Sequence, residues 1–269
     1  MKNIVLLGAT GSIGDSCLNV IRQNKKHFSL FGIGLGGNLD KAQQIAKEFS
    51  PEHIFVAKSH IDKSHDLLQS YPNILYTEDE LQELIQDPCV DIVISAISGF
   101  AGLKTSYFAI DAGKTILIAN KESIVAAGDI LMPLAKVRNS EIIPVDSEHN
   151  AIYQCLPLQR KLNEISKIMI TASGGPFREK AFNDLSLVTL KDALNHPTWS
   201  MGTKITIDSA TLVNKCLELI EAHYLFQIPE SQIEIVVHPQ SIIHSMVTFI
   251  DGSTICLLYT SDAADESSS

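Results

Sequence analysis

The sequence predicts an α/β protein in two parts, a doubly wound parallel-sheet domain over residues 1–145 and an α+β domain over residues 146–257. Three observations carry this. In the first half, short β-branched apolar runs alternate with helical patterns. A glycine-rich turn stands between the first such run and the first helix. After about residue 146, strand-like runs follow one another with few helices between them.

The first-half strands are read at "NIVLLGA" from Asn3, "SLFGIGL" from Ser29, "HIFVA" from His53, "DIVISAI" from Asp91, "TILIA" from Thr115 and "EIIPV" from Glu141. Near-continuous apolar strands separated by helices indicate a parallel sheet covered on both faces. "DKAQQIAKEF" and "DELQELIQ" are two of the helices, with Asp40 expected to cap the first. In the second half "KIMITASGG", "KITIDSA", "QIEIVVH" and "HSMVTFIDG" read as strands of a mixed or antiparallel sheet. "DSATLVNKCLELIEAH" reads as one helix that begins at Asp208 and Ser209. The end of the chain, "LLYTSDAADESSS", is small, acidic and serine-rich, so residues 258–269 are expected to be disordered.

The composition is that of an ordinary globular chain, 45% hydrophobic and 19% charged over 269 residues. A formal net charge of −10 argues against a nucleic-acid or anionic membrane surface as partner. Cys17, Cys89, Cys155, Cys216 and Cys256 lack CxxC spacing, which suits a reducing compartment and gives no zinc framework. With no signal peptide and no membrane-length apolar run, a cytoplasmic protein is expected.

In "VLLGATGSIG", Gly8, Gly11 and Gly14 form GxxGxxG between a strand and a helix. Glycine there lets backbone N–H groups approach a pyrophosphate at the positive end of the helix, as in Rossmann-type dinucleotide sites. NAD-specific folds place Asp or Glu at the end of the second strand to bind the ribose 2′-hydroxyl. Here Gly36, Gly37 and Asn38 stand in that place, which leaves room for a 2′-phosphate, so NADP(H) is expected.

"LIANKES" is a second strand-to-helix junction, with Asn120, Lys121 and Glu122 at the turn. Two readings stand: Asn120 as a helix cap beside a solvated Lys121, or Lys121 as a hydrogen-bond donor beside a cofactor. "ITASGGPF" places Ser173 and two glycines after a strand, which suits either a plain β-turn or an anion cradle. "HPTWSMG", residues 196–202, carries the only tryptophan, Trp199, in a loop that reads as a mobile flap.

Thr211, Asn214, Lys215 and Glu218 recur at i+3 and i+4 and share a helix face. An exposed face with one weak ion pair is the plain reading. The sharper one is a polar stripe on a buried helix, with Ser209, Asn214 and Lys215 for a phosphate and Glu218 for a cation. In "PVDSEHNA", Asp146 and Glu148 lie at i and i+2 of a chain taken as extended, so both point to one side. With Glu218 they would offer three carboxylate oxygens to one hard divalent ion, Mg²⁺ or Mn²⁺.

The motifs GATGSIG, LIANKES, PVDSEHNAIYQ, TASGGPF, HPTWSMG, DSATLVNKCLELIEA and HPQSIIHSMV occur in an order that resembles the 1-deoxy-D-xylulose 5-phosphate reductoisomerases. The resemblance runs from residue 1 to about residue 256. It implies rearrangement of 1-deoxy-D-xylulose 5-phosphate to an aldehyde and reduction of that aldehyde to 2-C-methyl-D-erythritol 4-phosphate. The implied cofactors are NADPH and Mg²⁺ or Mn²⁺, with Co²⁺ as a further option.

By motif, the resemblance makes Asp146, Glu148 and Glu218 metal ligands. Ser147 and Lys121 contact substrate oxygens, and Ser173, Ser209, Asn214 and Lys215 hold the phosphate. His196 and Trp199 belong to a closing flap. Cofactor contacts fall on Thr10, Gly11, Ser12, Ile13, Gly36, Gly37, Asn38, Asn120, Glu122 and Gly202. His149 is expected to be structural.

Three positions depart from the family pattern: Gly37, where many relatives have a basic residue; Thr198, where Asn is common; and everything after Ile255. There the family continues into a Pro-Asp-Met-Arg segment, a linker and a C-terminal helical domain. Here "CLLYTSDAADESSS" follows, so a truncated catalytic domain with a non-native tail is expected, with poor activity. The family's homodimer is in doubt for such a chain. Two other functions compete with this one. An aspartate-semialdehyde dehydrogenase type needs a nucleophilic cysteine in a glycine-rich turn, which none of the five occupies. A non-enzymatic or inactive NADP-binding module needs neither the polar stripe nor the Asp-Ser-Glu triplet.

Overall fold

The computed structural model describes residues 1–57, 71, 73–156, 162–195 and 202–258. It divides into two compact units, Met1–Val145 and Asp146–Ser269.

The first unit is a parallel sheet of β1 (Lys2–Leu7), β2 (Phe28–Leu35), β3 (His53–Val56), β4 (Ile74–Leu75), β5 (Ile92–Ser95), β6 (Thr115–Ile118) and β7 (Ile142–Pro144). Their order is β4-β3-β2-β1-β5-β6-β7, so successive strands are added outward on one side of β1 and then on the other, and the order switches between β1 and β5. In such sheets ligands bind at the carboxyl ends of the strands near that switch point. The six expected strands are all present. β4 is the addition: it pairs only Ile74 and Leu75 with β3, too few residues to show a pattern.

The sheet is apolar throughout because it is covered on both faces. Val5, Leu6 and Leu7 of β1 are fully buried. Against it pack α1 (Ser12–Gln23) and α2 (Leu39–Phe49). α1 turns Gly14, Leu18 and Ile21 inward, at helical spacing. Gly14 permits this close approach, since a Cβ there would stand 2.4 Å from the Ala9 carbonyl oxygen. Asp40 does not cap α2. Asn38 does, its side chain accepting from the Lys41 N–H at 3.2 Å, because the helix starts two residues earlier than a cap at Asp40 would place it. Further along lie α3 (Glu78–Gln86), α4 (Gly102–Asp111) and α5 (Lys121–Arg138).

The second unit holds α6 (Ser147–Cys155), β8 (Ile165–Ala172), α7 (Leu190–Leu194), α8 (Thr203–Ala210), α9 (Val213–Phe226), β9 (Ile233–Val237), β10 (Ile243–Phe249) and β11 (Thr254–Leu258). Its sheet runs β11-β10-β8-β9 and is mixed: β10 is antiparallel to β8 and β11, and β9 is parallel to β8. Ile152 and Cys155 of α6 and Ala222 and Phe226 of α9 pack on Ile168, Ile170, Val247 and Phe249 of the sheet. Burying a side chain such as Phe249 stabilises by about 1.5–3 kcal/mol.

Three expectations fail here. "KITIDSA" is the helix α8, not a strand. The following helix starts at Val213, after Leu212 in the left-handed region (φ 59°), so Asp208 and Ser209 close α8 rather than open α9. Leu257 and Leu258, grouped by composition with the tail, belong to β11, held by pairing with His244 and Ile243. Residues 259–269 lie outside the described residues. Among the described residues no helix is long and apolar enough to cross a membrane.

Candidate active site

In the second unit the site starts where α6 begins. Asp146 is the N-cap residue, but its side chain caps nothing. Its Oδ1 lies 2.8 Å from Nδ1 of His149, and Nε2 of the same ring lies 2.9 Å from the Glu218 carbonyl oxygen on α9. Glu148 is in the first turn of α6, not on extended chain. Two-residue alternation is therefore not what brings Asp146 and Glu148 together. Asp146 sits outside the helix with ψ 132°, and Glu148 sits just inside it.

Glu218 arrives from α9 and is 1% exposed. One oxygen each of Asp146, Glu148 and Glu218 lie within 4.8 Å of one another. α9 is amphipathic the wrong way round for a surface helix. Lys215, Glu218 and Glu221 face inward with Ala222 and Phe226, while Val213, Cys216 and Ile220 are exposed. The polar stripe is thus buried, and the exposed-face reading falls. Thr211 is not on it, lying in the turn between α8 and α9.

Lys215 links the parts. Its Nζ donates to the Thr171 carbonyl oxygen at the end of β8 (2.6 Å), to Glu148 Oε1 (3.0 Å) and to Glu218 Oε2. Burial disfavours its charge, but Glu148 and Glu218 outweigh burial and raise its pKa above the ordinary lysine value. His149 is fully buried, stacked on Phe226 with ring centroids 6.4 Å apart. Burial again opposes charge, yet Glu221, Asp146 and Glu218 raise its pKa to about 9. His149 and Glu221 were not among the expected site residues. His149 drew notice only as a neighbour of the acids, and Glu221, one turn beyond Glu218, carried the missed signal in the same helical spacing.

Four acids therefore converge on one lysine and one histidine. Three hard oxygen donors, from the residue that precedes α6, from α6 and from α9, with negative charge in excess, suit a divalent cation such as Mg²⁺. The donor set fits the metal expected.

Beside the acids is the phosphate candidate. Ser173 is two residues past Thr171, and Gly174 and Gly175 follow with φ of 85° and 70°, a backbone that glycine adopts without strain. A Cβ at Gly175 would stand 2.6 Å from the Ser209 carbonyl oxygen, so this turn lies against the end of α8. Asn214 and Lys215 open α9, which has no side-chain cap. The segments that carry Ser173, Ser209, Asn214 and Lys215 thus adjoin one another. Asn214 Nδ2 donates to Glu218, and its Oδ1 is buried with no hydrogen-bond partner among the described residues. Ser147 Oγ donates to Glu148 Oε2 at 2.6 Å. Gly202 precedes α8 as its N-cap residue, and His196 and Trp199 lie outside the described residues.

In the first unit the cofactor candidates gather at the carboxyl edge of the parallel sheet. Thr10, Gly11, Ser12 and Ile13 follow β1 and open α1, which starts without a side-chain cap, so its first N–H groups are offered to a ligand. Gly8, at φ 86°, allows no side chain: a Cβ would meet the Ala96 carbonyl oxygen at 2.3 Å. Gly36, Gly37 and Asn38 follow β2, and space is open where a Cβ of Gly36 would be. This uncapped helix end with a glycine edge fits a dinucleotide phosphate. Asn120 caps α5, its Oδ1 accepting from the Ser123 N–H at 2.7 Å, while Nδ2 donates to the carbonyl oxygens of Ile97 and Gly99 and, at 3.3 Å, to Glu122. The cap reading of Asn120 therefore holds. Lys121 is buried rather than solvated.

Family models for 1-deoxy-D-xylulose 5-phosphate reductoisomerase match residues 4–128 and, for its C-terminal domain, residues 142–226. A reductoisomerase of Geobacillus sp. (strain WCH70) is 48% identical over 265 residues, 97% of this chain and 69% of the relative. The chain belongs to the 1-deoxy-D-xylulose 5-phosphate reductoisomerase family. Another reductoisomerase, from Thermoanaerobacter sp. (strain X514), is also 48% identical and is covered over 68% of its length. Among solved structures, a DOX-P reductoisomerase in complex with NADPH, fosmidomycin and magnesium superposes with a TM-score of 0.92 at 43% identity, covering 98% of this chain and 67% of that one. The reductoisomerase of Zymomonas mobilis in complex with NADPH gives 0.89 at 40% identity, covering 98% and 68%. The expected fold, a parallel α/β sheet followed by a second sheet, is that of these reductoisomerases.

Proposed function

We propose that this protein converts 1-deoxy-D-xylulose 5-phosphate to 2-C-methyl-D-erythritol 4-phosphate, using NADPH and a divalent metal. The buried cluster of Asp146, Glu148 and Glu218 carries this reading. A plain dinucleotide-binding module has no use for three carboxylates held within 4.8 Å of one another.

Asp146, Glu148 and Glu218 would hold the cation, which when bound polarises the substrate ketone and stabilises negative charge on its oxygen. The uncapped start of α1 and the Gly36–Asn38 loop would hold NADPH, the source of the hydride. Lys215 stays charged at neutral pH because Glu148 and Glu218 sustain it, so it suits a phosphate, with the hydroxyls of Ser173 and Ser209 and the amide of Asn214 completing the set. A phosphate held away from the reacting carbons supplies binding energy that positions them. Ser147 and Lys121 are assigned substrate oxygens, and His196 and Trp199 the covering flap. His149 fixes Asp146 and Glu218 relative to each other, so the ligand oxygens are placed before any cation arrives.

A cytoplasmic location follows from a sugar phosphate and NADPH as ligands, and light scattering tests whether the family's homodimer forms in this chain. The test of function is NADPH oxidation by the purified chain. Oxidation that needs both 1-deoxy-D-xylulose 5-phosphate and Mg²⁺ or Mn²⁺ supports the proposal. NADPH binding with no turnover under any of these conditions leaves a cofactor-binding module instead. Asp146→Asn and Glu218→Gln should abolish turnover and leave NADPH binding nearly intact.

A further inference from the structure

We propose that Lys41 reads the 2′-phosphate of the nicotinamide cofactor and so sets the preference for NADPH over NADH. The inference rests on the NADPH reading above and names the residue responsible for it.

The place where an NAD-specific fold carries an acid is empty of charge here. β2 ends at Leu35, and Gly36, Gly37 and Asn38 follow with no carboxylate. Among the described residues nothing fills the space where a Cβ of Gly36 would be, so the loop leaves room for a group larger than a hydroxyl. A neutral loop removes the reason to reject a phosphate, but does not by itself attract one. A fixed cation is needed for that, since a dianion loses much hydration on binding.

Lys41 supplies it. It stands in the first turn of α2, three residues after Asn38, whose side chain accepts from its backbone N–H. Its side chain reaches back toward the glycine turn. Nζ donates to the Thr10 carbonyl oxygen at 3.1 Å and to Asp15 Oδ2 at 2.6 Å. The ammonium is thereby held against the loop after β1 and the first turn of α1, on a side chain whose helix follows directly on the loop after β2; these two loops border the adenosine ribose in doubly wound folds. An ammonium has three N–H groups, and these two contacts use two of them. Asp15 is half exposed, so its carboxylate can return to water while the lysine turns to a phosphate.

The competing explanation is mechanical: Lys41 could merely tie α2 to the glycine turn. The two differ in what they predict for the two cofactors. A tie would support NADPH and NADH equally, and a phosphate reader would support only NADPH.

The experiment is titration of the full chain with NADPH and with NADH, followed by nicotinamide fluorescence. It compares the wild type with Lys41→Met, which keeps most of the apolar stem, Lys41→Arg, which keeps the charge, and Asp15→Asn. Lys41→Met should weaken NADPH by about 10–100-fold, the range of a lost hydrogen bond to a charged group, and change NADH less than ~2-fold. Lys41→Arg and Asp15→Asn should keep the preference. Equal weakening of both cofactors by Lys41→Met, or a wild-type NADPH preference that survives it, overturns the assignment while leaving the NADPH reading in place. A wild type that binds NADH as tightly as NADPH overturns both.

Discussion

Lys215 Nζ stands 3.0 Å from Glu148 Oε1, joining two helices across 67 positions of sequence. The lysine is 7% exposed, and Glu218, its second carboxylate partner, 1%. This ammonium pairs with two of the three acids assigned to the metal. On the proposed assignment a cation would compete with the lysine for these oxygens, and the displaced lysine would then be free for a phosphate.

Removing the lysine exposes that competition. Lys215→Met is expected to lower the unfolding free energy of the metal-free protein by about 3–5 kcal/mol, since it leaves buried carboxylates without their cation. Urea denaturation measures this. Added Mn²⁺ should recover more stability in the variant than in the wild type. Equal recovery would show that ammonium and metal do not compete. The pH dependence has a definite sign: the raised lysine pKa means that the stabilisation is fully present below the ordinary lysine value, and is lost only as pH rises through the higher folded value.

His149 holds two of the acids at once, Asp146 by its side chain and Glu218 by its backbone. His149→Ala removes both contacts and the stack on Phe226. The expected result is ~10–100-fold weaker Mn²⁺ binding by calorimetry, as for the loss of a group that orients a metal ligand. Unchanged affinity would reduce the ring to packing.

Asn120 ties the end of β6 to the loop after β5 through Nδ2, which lies 2.6 Å from the Ile97 carbonyl oxygen and 2.7 Å from that of Gly99. Asn120→Asp keeps the cap on α5 and turns a carboxylate oxygen toward two carbonyl oxygens. A loss of about 1–3 kcal/mol in unfolding free energy is expected, from those unmet acceptors. NADPH binding should weaken with it, because the loops at this sheet edge would part.

The parallel sheet was legible because burial on both faces leaves a simple signature, runs such as Ile4–Leu7 with no polar interruption. The acid cluster was legible as residues, though not as geometry: Asp146 and Glu148 meet around a helix start, not along a strand. "KITIDSA" misled through its alternating β-branched residues. Its tertiary setting wins, as α8 packs against α7 and α9, and Thr206, 3% exposed, donates back to the Gly202 carbonyl oxygen. Lys204 and Asp208, paired at 2.8 Å one helical turn apart, were the overlooked helical signal. The buried polar stripe of α9 was one of two readings open in the sequence; the exposure of apolar Val213, Cys216 and Ile220 was not legible, because they look like core until the burial is known.

The central claim is that Asp146, Glu148 and Glu218 form one divalent-cation site. Calorimetric titration of the purified chain with Mn²⁺, wild type against Asp146→Asn, Glu148→Gln and Glu218→Gln, tests it most directly. The account predicts one saturable site in the wild type that is lost in each variant, while NADPH binding persists. Wild-type Mn²⁺ affinity in Glu218→Gln, whose carboxylate is the most buried of the three, would contradict it.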